Sequence, residues 1–180
     1  MAMPLAVALT SIVASNRNAW PVEFHIVYDG MSEATRANLT HALPNGSASC
    51  HWLALDRLDA GWLRNLPPLN GASRMTYARF LIPQIFPEDT PRVLYLDVDI
   101  VVMDALAPLW DTPLNGAILG AVIDGGVDPL LKRGLLTERR VARVRDYFNA
   151  GMLLIDLPRW RSERVSERAR AYLERNPDTF

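Results

Sequence analysis

Two aspartates two residues apart, Asp97 and Asp99, close the apolar run Arg92-Val93-Leu94-Tyr95-Leu96. The run is β-branched, aromatic and aliphatic, the composition of a strand buried on both faces of a parallel sheet. Side chains alternate along a strand, so the two carboxylates share one side if the strand holds that far. Two like charges so close repel each other, and a divalent cation removes the conflict. Carboxylates, phosphate oxygens and water are the ligands of Mg²⁺ and Mn²⁺. In open α/β sheets, ligands bind outside the carboxyl ends of the strands, where this pair sits. An aspartate after a strand also serves as a turn former or helix cap. Asp104 reads that way, capping a short helix through Ala105–Trp110.

The other candidate ligands are sparse. The three histidines, His25, His41 and His51, show no metal-ligand spacing, and His25 and His51 read as strand residues. Cys50 is the only cysteine, which excludes an internal disulfide and fits a reducing compartment. The net charge of −1 over 180 residues argues against a nucleic-acid binder. The charge is uneven: residues 1–131 carry 7 basic and 13 acidic side chains, residues 132–180 carry 12 and 7. The basic excess lies in Arg139, Arg140, Arg143 and Arg145, then Arg159, Arg161, Arg164, Arg168 and Arg170. It reads either as a solvated helix face or as a surface for anionic lipid headgroups or a neighbouring domain.

The positioning elements follow from periodicity. Residues 1–15 lack the basic start of a signal peptide, and their apolar run is too short to span a bilayer. Leu5, Leu9 and Ile12 fall on one face of a helix. Val22–Val27 reads as a strand, and Ser32 caps a helix to about Leu43. Ser49–Leu55 is a second strand. Gly61–Gly71, with Pro67 and Pro68, reads as a loop. Ser73 opens a helix through Arg79 and Phe80 that Pro83 ends or kinks. After the Val93–Asp97 strand come a strand at Ala117–Ile123, a Gly-rich loop at Asp124–Asp128, a helix near Leu130–Leu136 and a strand at Asn149–Leu157. Pro158 starts a final helix to about Arg175. The alternation predicts an α/β class, with a largely parallel sheet and right-handed crossovers.

Four segments occur in a recognisable order: Tyr77-Ala78-Arg79-Phe80-Leu81-Ile82-Pro83, Val93-Leu94-Tyr95-Leu96-Asp97-Val98-Asp99, Pro108-Leu109-Trp110 and Phe148-Asn149-Ala150-Gly151-Met152-Leu153-Leu154-Ile155-Asp156-Leu157, with Trp160-Arg161 behind them. This order resembles glycosyltransferase family 8, the retaining nucleotide-sugar transferases that include lipopolysaccharide galactosyl- and glucosyltransferases and glycogenin. The resemblance implies a single GT-A-like, Rossmann-like domain with helices on both sheet faces. It implies that Asp97, Val98 and Asp99 form a D-x-D motif holding Mn²⁺, or Mg²⁺, against the donor diphosphate. It implies that Arg79 reaches the donor, that Asp124 contacts the donor sugar, and that Asn149, Ala150 and Gly151 line the sugar pocket. Each has a plainer role available: a surface arginine, a turn aspartate, a strand-end cap and a bulge glycine. Tyr77 and Trp110 read as packing.

The implied partners are a nucleotide diphosphate sugar, UDP-hexose first, and a glycan or lipid-linked acceptor. The implied setting is cytoplasmic, peripheral at the inner face of the membrane. Family members begin with a base-binding strand and continue into a D-Q-x-x-L-N segment and a metal-binding histidine. Neither pattern is in this sequence, which stops at Phe180, so the catalytic segment is expected beyond it and the 180 residues alone are expected to transfer sugar slowly or not at all. Two other classes fit less of the chain. A haloacid dehalogenase-type phosphohydrolase would use Asp97, Asp99 and Val101 as D-x-D-x-V, yet Ile100 replaces its usual glycine. A noncatalytic remnant would bind nucleotide weakly or act as an interaction domain.

Overall fold

A computed structural model describes residues 2–16, 20–44, 46–66, 73–124 and 148–176. The expected Gly-rich loop beyond Asp124, the helix near Leu130–Leu136, and Arg139, Arg140, Arg143 and Arg145 lie outside the described residues.

The chain opens on α1 (Ala2–Ser15), which buries Leu5, Ala8, Leu9, Ile12 and Val13. It packs over β1 (Val22–Tyr28) and α2 (Glu33–His41) through a cluster of Leu5, Leu9, Val13, Ile26, Leu39 and Leu43. Ser32 is the N-cap of α2 and its hydroxyl accepts the Thr35 N–H at 3.2 Å, as its position in the sequence predicts. β2 (Ala48–Ala54) pairs with β1 in parallel, Val22 opposite Ala48 through Tyr28 opposite Ala54.

The stretch expected to be a loop from Gly61 instead begins as a 3₁₀ helix, Gly61–Asn65. Its Trp62 and Leu63 are buried, and with Leu66 they join Tyr77, Ala78, Leu81 and Leu173 in a second cluster. Burial of these apolar groups overrides the turn-forming composition. Ser73 does cap the next element, its hydroxyl accepting the Met75 N–H, but Arg74–Leu81 winds as 3₁₀. The chain turns α-helical only at α3 (Ile82–Ile85), where Pro83 occupies the first turn.

β3 (Arg92–Leu96), β4 (Leu119–Ile123) and β5 (Phe148–Asp156) form a three-stranded sheet in the order β3-β5-β4. Both ladders are antiparallel, so the expected parallel arrangement holds for β1–β2 and is corrected here. The central strand β5 is covered on both faces: Leu153, Leu154 and Ile155 are consecutive and buried. That composition is shared by any doubly covered strand, whatever its direction. Ile155 and Leu157 are fully enclosed in a third cluster with Ile82, Val93, Leu153 and Trp160.

α4 (Ala107–Trp110) follows β3; Leu106, not Asp104, is its N-cap. The Asp104 carboxylate instead accepts the neighbouring Ala105 N–H at 2.7 Å, a local turn contact. The final helix is two: α5 (Leu157–Ser162), capped by Asp156 accepting the Arg159 N–H, and α6 (Val165–Arg175). Arg164 breaks them apart with a left-handed φ of 52°. The Trp160 indole N–H reaches across the break to the Ser166 hydroxyl at 2.9 Å.

Candidate active site

β3 ends at Leu96, one residue before the first aspartate. The Asp97 N–H still donates to the Gly151 carbonyl at 2.8 Å, and Val98-Asp99 then turns away. Strand alternation therefore does not extend to Asp99, which is exposed in the turn, while Asp97 is held. The turn is anchored from behind. Ser15 donates its hydroxyl to the Val102 carbonyl at 2.8 Å, and the Val102 N–H donates to the Ser11 hydroxyl at 3.0 Å. Val98 packs its side chain against the α1–β1 cluster.

Asp97 is gripped on one oxygen. Tyr95 donates its phenol to Asp97 Oδ1 at 2.5 Å, and Arg79 Nη2 stands 3.4 Å from the same atom. Among the described residues, no hydrogen bond reaches Oδ2. The Arg79 side chain is 11 % exposed and Asp97 34 %. The guanidinium lies 4.9 Å from the Tyr95 ring centre, donates Nε–H to the Thr76 carbonyl at 2.8 Å, and donates through Nη1 to the Ala150 carbonyl. Burial pushes the Tyr95 phenol well above its ordinary value; the Arg79 charge opposes this, and the hydrogen bond to Asp97 with the charges of Asp97 and Asp99 adds to it. Tyr95 is thus a committed proton donor to Asp97. Sequence reasoning gave Tyr95 no role, although its position two residues before Asp97 on a strand places both on one face.

The antiparallel direction of β5 is what completes the cluster. It sets Asn149-Ala150-Gly151, at the start of β5, beside the carboxyl end of β3. A parallel β5 would carry them to the far end of the sheet. The β4–β5 register jumps from Ala121 opposite Leu153 to Val122 opposite Asn149, so Ala150, Gly151 and Met152 bulge from that ladder. The bulge turns the Ala150 carbonyl to Arg79. Asn149 Oδ1 accepts the Gly151 N–H at 2.8 Å, which fixes the amide across the bulge. A Cβ on Gly151 would lie 3.0 Å from both Asn149 Oδ1 and Asp97 Oδ2, so any side chain here would have to displace one of these oxygens. Asp124 follows β4 directly after Ile123, which pairs with Phe148, and so stands at the same sheet end.

Arg79, Asp97, Asn149, Ala150 and Gly151 therefore meet at one sheet end although 72 positions separate the first from the last. Tyr77 is buried, as a packing residue should be. With this geometry in view, the Glycosyl transferase family 8 model matches residues 2–180. The chain belongs to glycosyltransferase family 8. Its fold is α/β and GT-A-like: it superposes on the crystal structure of galactosyltransferase LgtC in complex with donor and acceptor sugar analogues with a TM-score of 0.79 at 31% identity, covering 99% of this chain and 62% of that one. Among curated relatives, lipopolysaccharide 1,2-glucosyltransferase of Escherichia coli K12 is 29% identical over 94% of this chain and 48% of its own length. Lipopolysaccharide 1,3-galactosyltransferase of Salmonella typhimurium is 36% identical over 62% of this chain and 33% of its own length. The chain thus spans half or less of these two relatives. Family membership displaces the phosphohydrolase reading of Asp97, Asp99 and Val101.

The donor set at Asp97 and Asp99 is all oxygen, which fits Mg²⁺ or Mn²⁺. No third histidine or acid joins them within ligand distance among the described residues. Two carboxylates alone hold such an ion weakly, and phosphate oxygens of a ligand would supply the missing positions.

Proposed function

We propose that this chain is the donor-binding region of a hexosyltransferase that moves a sugar from a nucleotide diphosphate sugar, UDP-hexose, to an acceptor hydroxyl with retention. The carrying observation is the single-sided grip on Asp97: Tyr95 and Arg79 occupy Oδ1, no hydrogen bond among the described residues reaches Oδ2, and Asp99 is exposed in the turn that follows. A bound Mn²⁺ or Mg²⁺ would supply charge stabilisation at the departing diphosphate. Arg79 holds a second positive charge at the same place, fixed by three contacts, so no reorganisation is needed as negative charge grows. Asn149 orients the bulge and Asp124, at the same end, offers a carboxylate to sugar hydroxyls. Gly151 lets the backbone close on the donor.

The names of the lipopolysaccharide transferase relatives support a glycan or lipid-linked acceptor. A peripheral position at the inner, cytoplasmic face of a membrane is part of the same proposal; exposed Tyr172 on α6 supports it, while the neighbouring Arg168 and Arg170 are paired with Glu163 and Glu174. The test is calorimetric titration of UDP-glucose and UDP-galactose with and without Mn²⁺, followed by release of free UDP. Donor binding that requires Mn²⁺ and is lost in Arg79→Lys supports the reading. Binding that ignores both leaves a noncatalytic remnant as the function.

A further inference from the structure

Away from the Asp97 site, the β1–β2 ladder sets His25 directly opposite His51. Glu23 precedes His25 by two residues and so shares its strand face. The three side chains converge. His25 Nε2 lies 3.1 Å and His51 Nε2 2.9 Å from the same Glu23 Oε1, and the three ligand atoms lie within 4.8 Å of one another. The imidazole rings stack at 4.7 Å and 15°, and Phe86 packs on His25 at 4.4 Å. No spacing in the sequence announces this group, because the parallel register brings it together.

We propose that Glu23, His25 and His51 bind a divalent transition-metal ion of the zinc class. Two imidazole nitrogens and one carboxylate oxygen favour Zn²⁺, Ni²⁺ or Cu²⁺ over the oxygen-seeking ions of the aspartate pair. With bonds of about 2.0–2.1 Å, tetrahedral ligand atoms sit about 3.3 Å apart. The two N···O separations are already close to that spacing, and His51, half exposed, is able to rotate to bring its nitrogen in. His25 is the more enclosed, its side chain 18 % exposed. Three protein ligands leave a position for water or for a donor atom from outside. The ion would clamp β1 to β2, and a sheet of two strands benefits from such a tie.

The test uses the full chain carrying Asp99→Asn, which disables the all-oxygen pair. Zn²⁺ is titrated calorimetrically, and side-chain ¹⁵N resonances of the histidines are followed. One ion per chain, Nε2 shifts at His25 and His51, and affinity reduced at least about tenfold by His51→Gln are expected. Glu23→Gln, also exposed, should weaken binding similarly while leaving the zinc-free melting temperature unchanged. No uptake, uptake with both Nε2 resonances unmoved, or uptake indifferent to His51→Gln and Glu23→Gln overturns the proposal.

Discussion

Gly151 backs directly onto Asp97: its carbonyl accepts the Asp97 N–H at 2.8 Å, and its missing side chain leaves room for Asp97 Oδ2. Gly151→Ala puts a methyl 3.0 Å from both Asn149 Oδ1 and Asp97 Oδ2. We expect a loss of about 1–3 kcal/mol in urea unfolding, typical of overpacking. Donor affinity should fall in parallel, since Asp97 must shift. A variant as stable as the parent would show that the bulge relaxes freely.

Asp99 is exposed and makes no hydrogen bond among the described residues, so its removal should cost the fold nothing measurable. Asp99→Asn should nevertheless weaken Mn²⁺ binding in the presence of a UDP-sugar by about tenfold or more. Mn²⁺ alone should bind weakly to the parent. Equal Mn²⁺ affinity with and without nucleotide, or no effect of the substitution, would remove the pair from the proposed metal site.

Tyr95 links stability to alkaline pH. Its folded pKa is raised above the ordinary 10.0. Above pH 10 the unfolded chain releases this proton while the native chain keeps it, so stability falls as pH rises. Below pH 10 the contribution is fully present. Tyr95→Phe removes the Asp97 hydrogen bond, at a cost of about 0.5–1.5 kcal/mol near neutrality. It should also flatten the alkaline decline. Melting temperatures of both proteins on either side of pH 10 decide the point; parallel curves would exclude Tyr95 as a source of the decline.

The sequence placed most strands and the Ser32 and Ser73 caps to within a residue or two, because apolar runs and side-chain caps are local signals. The gathering of Arg79, Asp97 and Asn149–Gly151 was legible only through the order of the four segments. Long-range register was not legible. Tyr95 on Asp97 Oδ1, Glu23 with His25 and His51, and the antiparallel course of β5 all depend on which residues pair across strands. The 3₁₀ winding of Arg74–Leu81 was equally hidden, since its Ser cap and apolar spacing suit an α-helix as well.

Arg161 shows how a charge pattern misleads. It belongs to the run read either as a solvated helix face or as a basic surface, yet its guanidinium donates to the carbonyls of Pro83, Phe86, Pro87 and Glu88 at 2.6–3.1 Å. It closes the end of α3 against α5. Arg161→Ala should cost about 1–3 kcal/mol in unfolding free energy, because four backbone carbonyls, those of Pro83 and Phe86 part-buried, lose a charged donor. Arg161→Lys should recover only part, since an ammonium cannot serve the same fork. A loss no larger than that of Arg168→Ala would place Arg161 with the surface charges.

The two serines of α1 that hold Val102 sit 87 and 91 positions upstream of it. Contacts of such sequence separation form late, after the intervening loop has been closed. The acidic turn should therefore be among the last parts of the chain to order during refolding. Local helices and the β1–β2 pair should gain hydrogen-exchange protection before it does. The proposed donor site would then be completed in a single late step, when α1 docks onto a segment made half a chain-length afterwards.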